Sequence, residues 1–564
     1  MGAARRLYLH IVSLVSLLAL TGGAGSLLQL VFQRIEDAIR GATIMGGDFT
    51  SGQAALSVAM ILVGGPVYGF HWWMVRRGMR AQGVDGEQDR ASAVRAGYLA
   101  VVMGVSLAAG VWALSSLVGA ILMSLAGVAE EHPLATALAV AVVATPTWAA
   151  VARSRGPEIR ATRMLGAAAW LTRLYRYLAA YGLLVLLLGG AAGLLETVLS
   201  VLIGRQDFGF NAEWWRVLAA GQVASIVVGG GALLVHWREA RVTIRDAAII
   251  GEDDRQTRLR AAFFGGALLT TLTWTALGVV GAIADAGRLL FGMTRGGLDA
   301  WLETVVGPPV ALVPVAAAAW WVATAVRREA TPLGPDRVLA ARRLTLLLPS
   351  LVGLAFLAAG VTRLIETALL RLGGSDLTTI LYGQNVDHQV PWYLAQVVVG
   401  AVLWLPAWLA VLDGRRREPA VERTALASRA YLFLVVGAAI VAAVPATIVV
   451  LYRILEPVLG GASTGTVVED LAFPIAALIA AAAGAAYHVP LLLGDLAAKG
   501  IRPIGVPGTA ITPAAEGDRA PAASHSATVE LVLEVPEAES APAIVAGLQS
   551  HLPPGVKLNL RAMG

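Results

Sequence analysis

Acidic and basic side chains inside apolar runs are the residues of this chain best suited to chemistry, because an ionised group in hydrocarbon is costly and usually serves a purpose. Seven stand out: Glu196, Asp285, Arg288, Arg363, Glu366, Arg453 and Glu456. Asp285 with Arg288, Arg363 with Glu366, and Arg453 with Glu456 are each three residues apart, which puts both members of a pair on one helix face. Depth decides what such pairs can do. Arg363 follows Arg343 by 20 residues, which at about 1.5 Å per residue is about 30 Å, a full hydrocarbon thickness. The pairs therefore belong near the outer interface. Charges that fix helix ends are the plainer reading there, and the rim of an outward-facing site is the functional one. No apolar run carries a charge near its centre, which counts against a carrier driven by protons or sodium through a central carboxylate.

His71 and His236 stand 165 residues apart beside Trp72 and Trp237. A symmetric metal or proton site is one reading, and an amphipathic ring at the interface is the plainer one. Glu130, Glu131 and His132 form a compact ligand cluster, but three adjacent residues do not readily converge on one ion. GASTG at 461–465 matches the nucleophile-elbow pattern without the strand before it and helix after it that the pattern needs. No phosphate-binding loop, zinc-protease helix or dinucleotide fingerprint appears, so the reading is no enzyme, no cofactor and no metal. Pro66, Pro146 and Pro406, with Gly229 to Gly231, fall at similar places in even-numbered runs, where they should kink or loosen a helix. Pro66, Gly230 and Pro406 are the candidate lining of a mid-depth cavity. Gly189 and Gly193 form a small-xxx-small pair suited to close helix contact.

The elements that must position these residues follow from composition. The 564 residues are 57% apolar and 14% charged, with mean hydropathy +0.70, so the chain reads as an all-α polytopic membrane protein. Twelve apolar runs are expected to span, at 7–33, 54–75, 97–127, 133–152, 174–203, 214–237, 261–292, 305–326, 344–371, 391–413, 430–459 and 471–496. The first is too long for a signal-peptide core and reads as a retained span. Each must be helical, because lipid offers the backbone no hydrogen bonds. The stretch GGPVYGFHWWMVRRGMR at 64–80 reads as a helix leaving a membrane, and GGGALLVHWREAR at 229–241 repeats it, with a weaker copy ending at Trp408. LLETVLSVLIG at 194 likewise matches LIETALLRLGG at 364, which aligns Glu196 with Glu366 and, one repeat earlier, with Gln29. A period of 165 to 171 residues thus spans four helices. The expected units are repeats at 1–165, 166–335 and 336–500, a Pro/Ala/Gly-rich linker at 501–526, and a small β-α-β-like module at 527–564.

Arginine clusters fall in alternate connections, which places those connections and both termini in the cytoplasm, as an even number of spans requires. The clusters mark topology and the partner is the bilayer, with no nucleic-acid face. The absence of cysteine excludes disulfides and thiol chemistry.

At RRLYLHIVSLVSLLAL and the paired GFHWWMVRR, the sequence resembles a bacterial family of multipass membrane proteins known as domain of unknown function 5671. The resemblance covers residues 5–500 and implies repeated helical hairpins in a bacterial plasma membrane, with no assigned activity. The leading expectation is a permease-like or channel-like role for an uncharged or weakly polar substrate. A scaffold or sensor presenting its C-terminal module to a protein partner is the alternative, and a lipid-acting enzyme using Glu196 and Glu366 as its acids is third.

Overall fold

The computed structural model describes residues 3–40, 47–81, 84–128, 134–161, 166–203, 214–245, 257–293, 301–373, 386–458 and 467–498. Among the described residues there is no strand. The linker at 501–526 and the β-α-β-like module at 527–564 lie outside them, as do GASTG at 461–465 and the Glu130, Glu131, His132 cluster.

Twelve principal helices follow one another: α1 (Ala3–Arg40), α2 (Gly47–Arg80), α3 (Ala93–Leu125), α4 (Leu134–Ala161), α5 (Gly166–Leu202), α6 (Trp214–Arg245), α7 (Arg258–Leu290), α8 (Val313–Ala330), α9 (Pro335–Leu372), α10 (Val386–Arg417), α11 (Leu426–Val458) and α12 (Val467–Ala498). Short helices at Val84–Arg90 and Pro419–Thr424 lie in arginine-rich connections. Among the described residues, eleven helices are long and apolar enough to cross a membrane. The exception corrects the sequence reading. The expected span 305–326 is not one helix but a π-helical turn at Leu302–Val306, a short helix at Gly307–Ala311, a break at Leu312, and α8. Prolines explain the break, since Pro308, Pro309 and Pro314 lack amide hydrogens and Pro314 crowds the carbonyl of Val310. With Arg327, Arg328 and Glu329 in its last turns, α8 keeps about 14 apolar residues, roughly 21 Å, which is short of a bilayer unless the preceding pieces extend it.

The helices pair as antiparallel hairpins, and each hairpin meets the next in the same way. An odd-numbered helix packs on its own partner, on the next odd-numbered helix, and on that helix's partner: α1 on α2, α3 and α4; α3 on α4, α5 and α6; and so on to α9 on α10, α11 and α12. Among the described residues, no extensive contact joins the first hairpin to the last. The result is an open row of six hairpins, each bound to its neighbours, as in other repeat architectures.

Glycine sets the distance within the first hairpin of each repeat. A Cβ on Gly23 would lie 2.7 Å from the Ser57 carbonyl oxygen, one on Gly190 2.9 Å from that of Gln222, and one on Gly360 2.7 Å from that of Tyr393. One site is thus written three times, and in each copy two backbones touch. Gly64, Gly229 and Gly400 make the reciprocal approach onto the odd-numbered helix. These contacts fix the register between repeats and refine the sequence pairing. Gly64 corresponds to Gly400, so Trp72 corresponds to Trp408, whereas Pro406 lies a full turn beyond the counterpart of Pro66. Gly189 and Gly193 do not form one patch, because Gly189 faces Trp274 of α7 and Gly193 faces Gln222 of α6.

Candidate functional site

All three pairs expected from i, i+3 spacing form, at the arginine-poor ends of their helices. Arg363 Nη1 lies 2.9 Å from Glu366 Oε2, Arg288 Nη1 2.6 Å from Asp285 Oδ1, and Arg453 Nη1 3.0 Å from Glu456 Oε2. Each arginine also reaches another helix, which for Arg288 and Arg363 belongs to the neighbouring hairpin and for Arg453 to its own. Arg288 donates to the His388 carbonyl of α10 at 3.0 Å, Arg453 reaches Asp470 of α12 at 3.0 Å, and the Arg363 guanidinium lies 4.6 Å over the Phe473 ring of α12. Two of the pairs thus tie neighbouring hairpins together and the third ties the two helices of the last hairpin, which adds to the helix-end role.

Only the Arg363–Glu366 pair of the three borders a large described cavity. It measures about 840 Å³ and lies between α9, α10, α11 and α12. Polar groups gather at one end, where Arg363 and Glu366 from α9 meet Gln389, Tyr393 and Gln396 from α10. The remainder is largely apolar, with alanines such as Ala355, Ala358, Ala438 and Ala480 alongside Leu351, Leu354, Leu434 and Val435. The alanines favour a hollow because a methyl group fills less of the space between helices than a longer side chain does. From Leu351 to Glu366 the α9 wall extends about 22 Å, most of a hydrocarbon thickness. Glu366 is mostly buried, whereas the Arg363 side chain is 38% exposed. The arrangement is an apolar trough with a charged mouth.

The threefold register has a counterpart in a family profile. The profile described as Domain of unknown function (DUF5671) matches residues 6–145, 173–317 and 343–483. This chain belongs to the DUF5671 family. Each DUF5671 match reaches from the first into the fourth principal helix of a repeat, in agreement with the glycine contacts. Neither the curated proteins nor the solved structures searched contain a match to the chain.

Within the DUF5671 repeats, the other candidate residues are kept apart. Glu196 is exposed on α5 and Glu366 lies on α9, two hairpins along the row, so they share no site. Pro66 and Pro406 face outward from uninterrupted helices, and Gly230 packs beside Leu187. None of the three borders the described cavities. His71 and His236 sit in separate hairpins, each with its own tyrosine: Tyr8 Oη is 3.5 Å from His71 Nε2, and Tyr175 Oη is 3.1 Å from His236 Nε2. Each Nδ1 faces the carbonyl one turn back, at 2.8 Å and 2.9 Å. A carbonyl only accepts, so in the neutral ring Nδ1 carries the hydrogen and Nε2 receives the tyrosine hydroxyl. His236 is also buried, against the expectation of an interfacial ring, because Trp148 and Tyr175 enclose it. Among the described residues, no three potential metal ligands cluster.

The sequence reading missed the arginine-rich side, where clusters taken only as topology prove to be structural. Arg415 grips Asp495 at 2.9 Å and 2.5 Å, with Asp495 fully buried. Arg260 binds Glu329 at 2.7 Å and 2.5 Å and donates to the Tyr177 hydroxyl at 3.1 Å. Arg6 with Asp89 (2.8 Å) recurs as Arg343 with Glu422 (2.9 Å), the arginine on the first helix of a repeat and the carboxylate on the short connecting helix. The available signal was the presence of carboxylates within the arginine-rich connections, Asp89 after Asp85 and Glu87 and Glu422 after Glu418, with Asp89 and Glu422 on the short connecting helices of two repeats.

Proposed function

We propose that this DUF5671 protein is a twelve-crossing integral membrane protein that holds an amphiphile in its third repeat, with the head at Arg363 and Glu366 and the tail along the apolar trough. The observation that carries the reading is the cavity's polarity: a cation and its carboxylate at one end, and a largely apolar lining of alanine, leucine and valine for the remaining length. Arg363 keeps an exposed face after pairing with Glu366, so a phosphate-bearing head has a guanidinium to meet. The trough suits an acyl tail, which needs neither hydrogen bonds nor charge. In this reading the broken segment 301–330 completes the twelfth crossing. The arginine-rich connections and both termini then face the cytoplasm of a bacterial plasma membrane, and the trough opens toward the outer leaflet. Such a site serves a permease-like role in which a phosphate-headed amphiphile is moved or presented within the membrane.

Native mass spectrometry of protein released from membranes tests this. The wild type should carry phospholipid, and Ala358→Phe, which fills the trough, should lose most of it while remaining folded. Wild-type protein without lipid, or Ala358→Phe with an unchanged complement, would refute the proposal.

A further inference from the structure

The first repeat contains a second trough built to the same plan. A cavity of about 380 Å³ lies between α1, α3 and α4. Its α1 wall runs from Leu14 to Gln29, and each of those lining residues has a lining counterpart on α9 exactly one double period, 337 positions, later. On α3 the wall runs from Val101 to Ala109, and every member has its counterpart on α11, 333 positions later. The α1 and α3 walls thus repeat the α9 and α11 walls across the duplicated sequence, while the larger cavity has a further wall from α10.

The mouths differ. Where the third repeat has Arg363 and Glu366, the first has Ser26 and Gln29, so both charges are replaced by neutral hydrogen-bonding groups. The wall is open to the surroundings, since Leu18 is 52% and Val105 55% exposed while both line the cavity. In the second repeat the equivalent space is closed. Trp274 lies over Gly189, Leu312 at the helix break fills the notch at Gly278, and Leu184, Leu188 and Ala192 belong to the central core. Closure there coincides with the one span that is broken.

We infer that the first repeat is a second amphiphile site, taking a lipid with an uncharged hydroxyl-bearing head such as a diacylglycerol. Ser26 and Gln29 offer a hydroxyl and an amide, which satisfy hydroxyls and esters and leave a phosphate without a counter-charge. The inference rests on the proposed amphiphile site of the third repeat and adds a division of labour by head group.

The test uses photoreactive diacylglycerol and photoreactive phosphatidylethanolamine, presented separately to the full chain in nanodiscs, with labelled peptides mapped. Diacylglycerol should label α1 and α3, and phosphatidylethanolamine should label α9 and α11. Gly25→Phe has open space to enter. It should lower diacylglycerol labelling of α1 and α3 by about tenfold, equivalent to roughly 1.4 kcal/mol, without changing phospholipid labelling of α9 and α11. Ser26→Arg with Gln29→Glu should turn the first repeat toward phospholipid. The inference fails if Gly25→Phe leaves diacylglycerol labelling unchanged, or if the two lipids label both repeats alike. Phospholipid labelling that persists in the third repeat confines such a failure to this inference, whereas its absence there overturns the proposed function as well.

Discussion

Replacing Asp495 by alanine should be among the most damaging single changes in the third repeat. The Asp495 side chain has no exposed surface, Arg415 is 7% exposed, and the two are joined by contacts of 2.9 Å and 2.5 Å. Removing the carboxylate leaves a guanidinium that can neither shed its proton nor reach water, at an expected cost of about 3–5 kcal/mol. Arg415→Ala leaves the opposite orphan, and a carboxylate escapes part of that cost by taking up a proton, so its loss should be the smaller of the two. The double replacement Arg415→Met with Asp495→Leu removes both charges and restores apolar volume, and should lie within about 1 kcal/mol of the wild type. Denaturant or thermal unfolding in one fixed detergent, completed as a double-mutant cycle, provides the measurement. An Asp495→Ala loss below about 1 kcal/mol, or single losses that simply add, would refute the buried pair.

Gly360→Ala should destabilise by about 1–3 kcal/mol, because the added methyl meets the Tyr393 carbonyl. Gly104→Ala, with nothing nearby, should be neutral, and equal effects in the same unfolding assay would contradict the glycine register. Glu422→Ala and Asp89→Ala should each cost about 1 kcal/mol, less than Asp495→Ala, since the arginines they pair with are partly solvated. The cysteine-free chain allows single-cysteine accessibility mapping. Val128→Cys, Met293→Cys and Gly373→Cys should label from one face, and Ala81→Cys, Leu333→Cys and Glu418→Cys from the other. Labelling of Met293→Cys and Leu333→Cys from the same face would show that the broken segment does not cross.

Much of the architecture was legible because lipid restricts the choices. A long apolar run can only be a helix, arginine and tryptophan mark its ends, and a period of 165 to 171 residues is visible in GFHWWMVRR and in LLETVLSV. The pairs at 285/288, 363/366 and 453/456 were legible because helical spacing alone brings their members together. Partners that meet only when hairpins stack were not. Arg415 and Asp495 are 80 residues apart, and nothing local distinguishes Arg415 from its neighbours Arg416 and Arg417. The prolines misled in both directions. Pro66 and Pro406 lie in uninterrupted helices, where each removes only one backbone bond, whereas Pro308, Pro309 and Pro314 act together and break the chain at Leu312. The troughs were invisible because small and branched apolar side chains on a helix face read as ordinary packing, and only the stacking of hairpins leaves space beside them.

Cryo-electron microscopy of the full chain in a lipid nanodisc decides whether the third repeat holds an amphiphile. Elongated density along Ala358, Ala438 and Ala480, ending in a head group beside Arg363, is the expected result. Helices α9, α11 and α12 packed together with no density between them would contradict it.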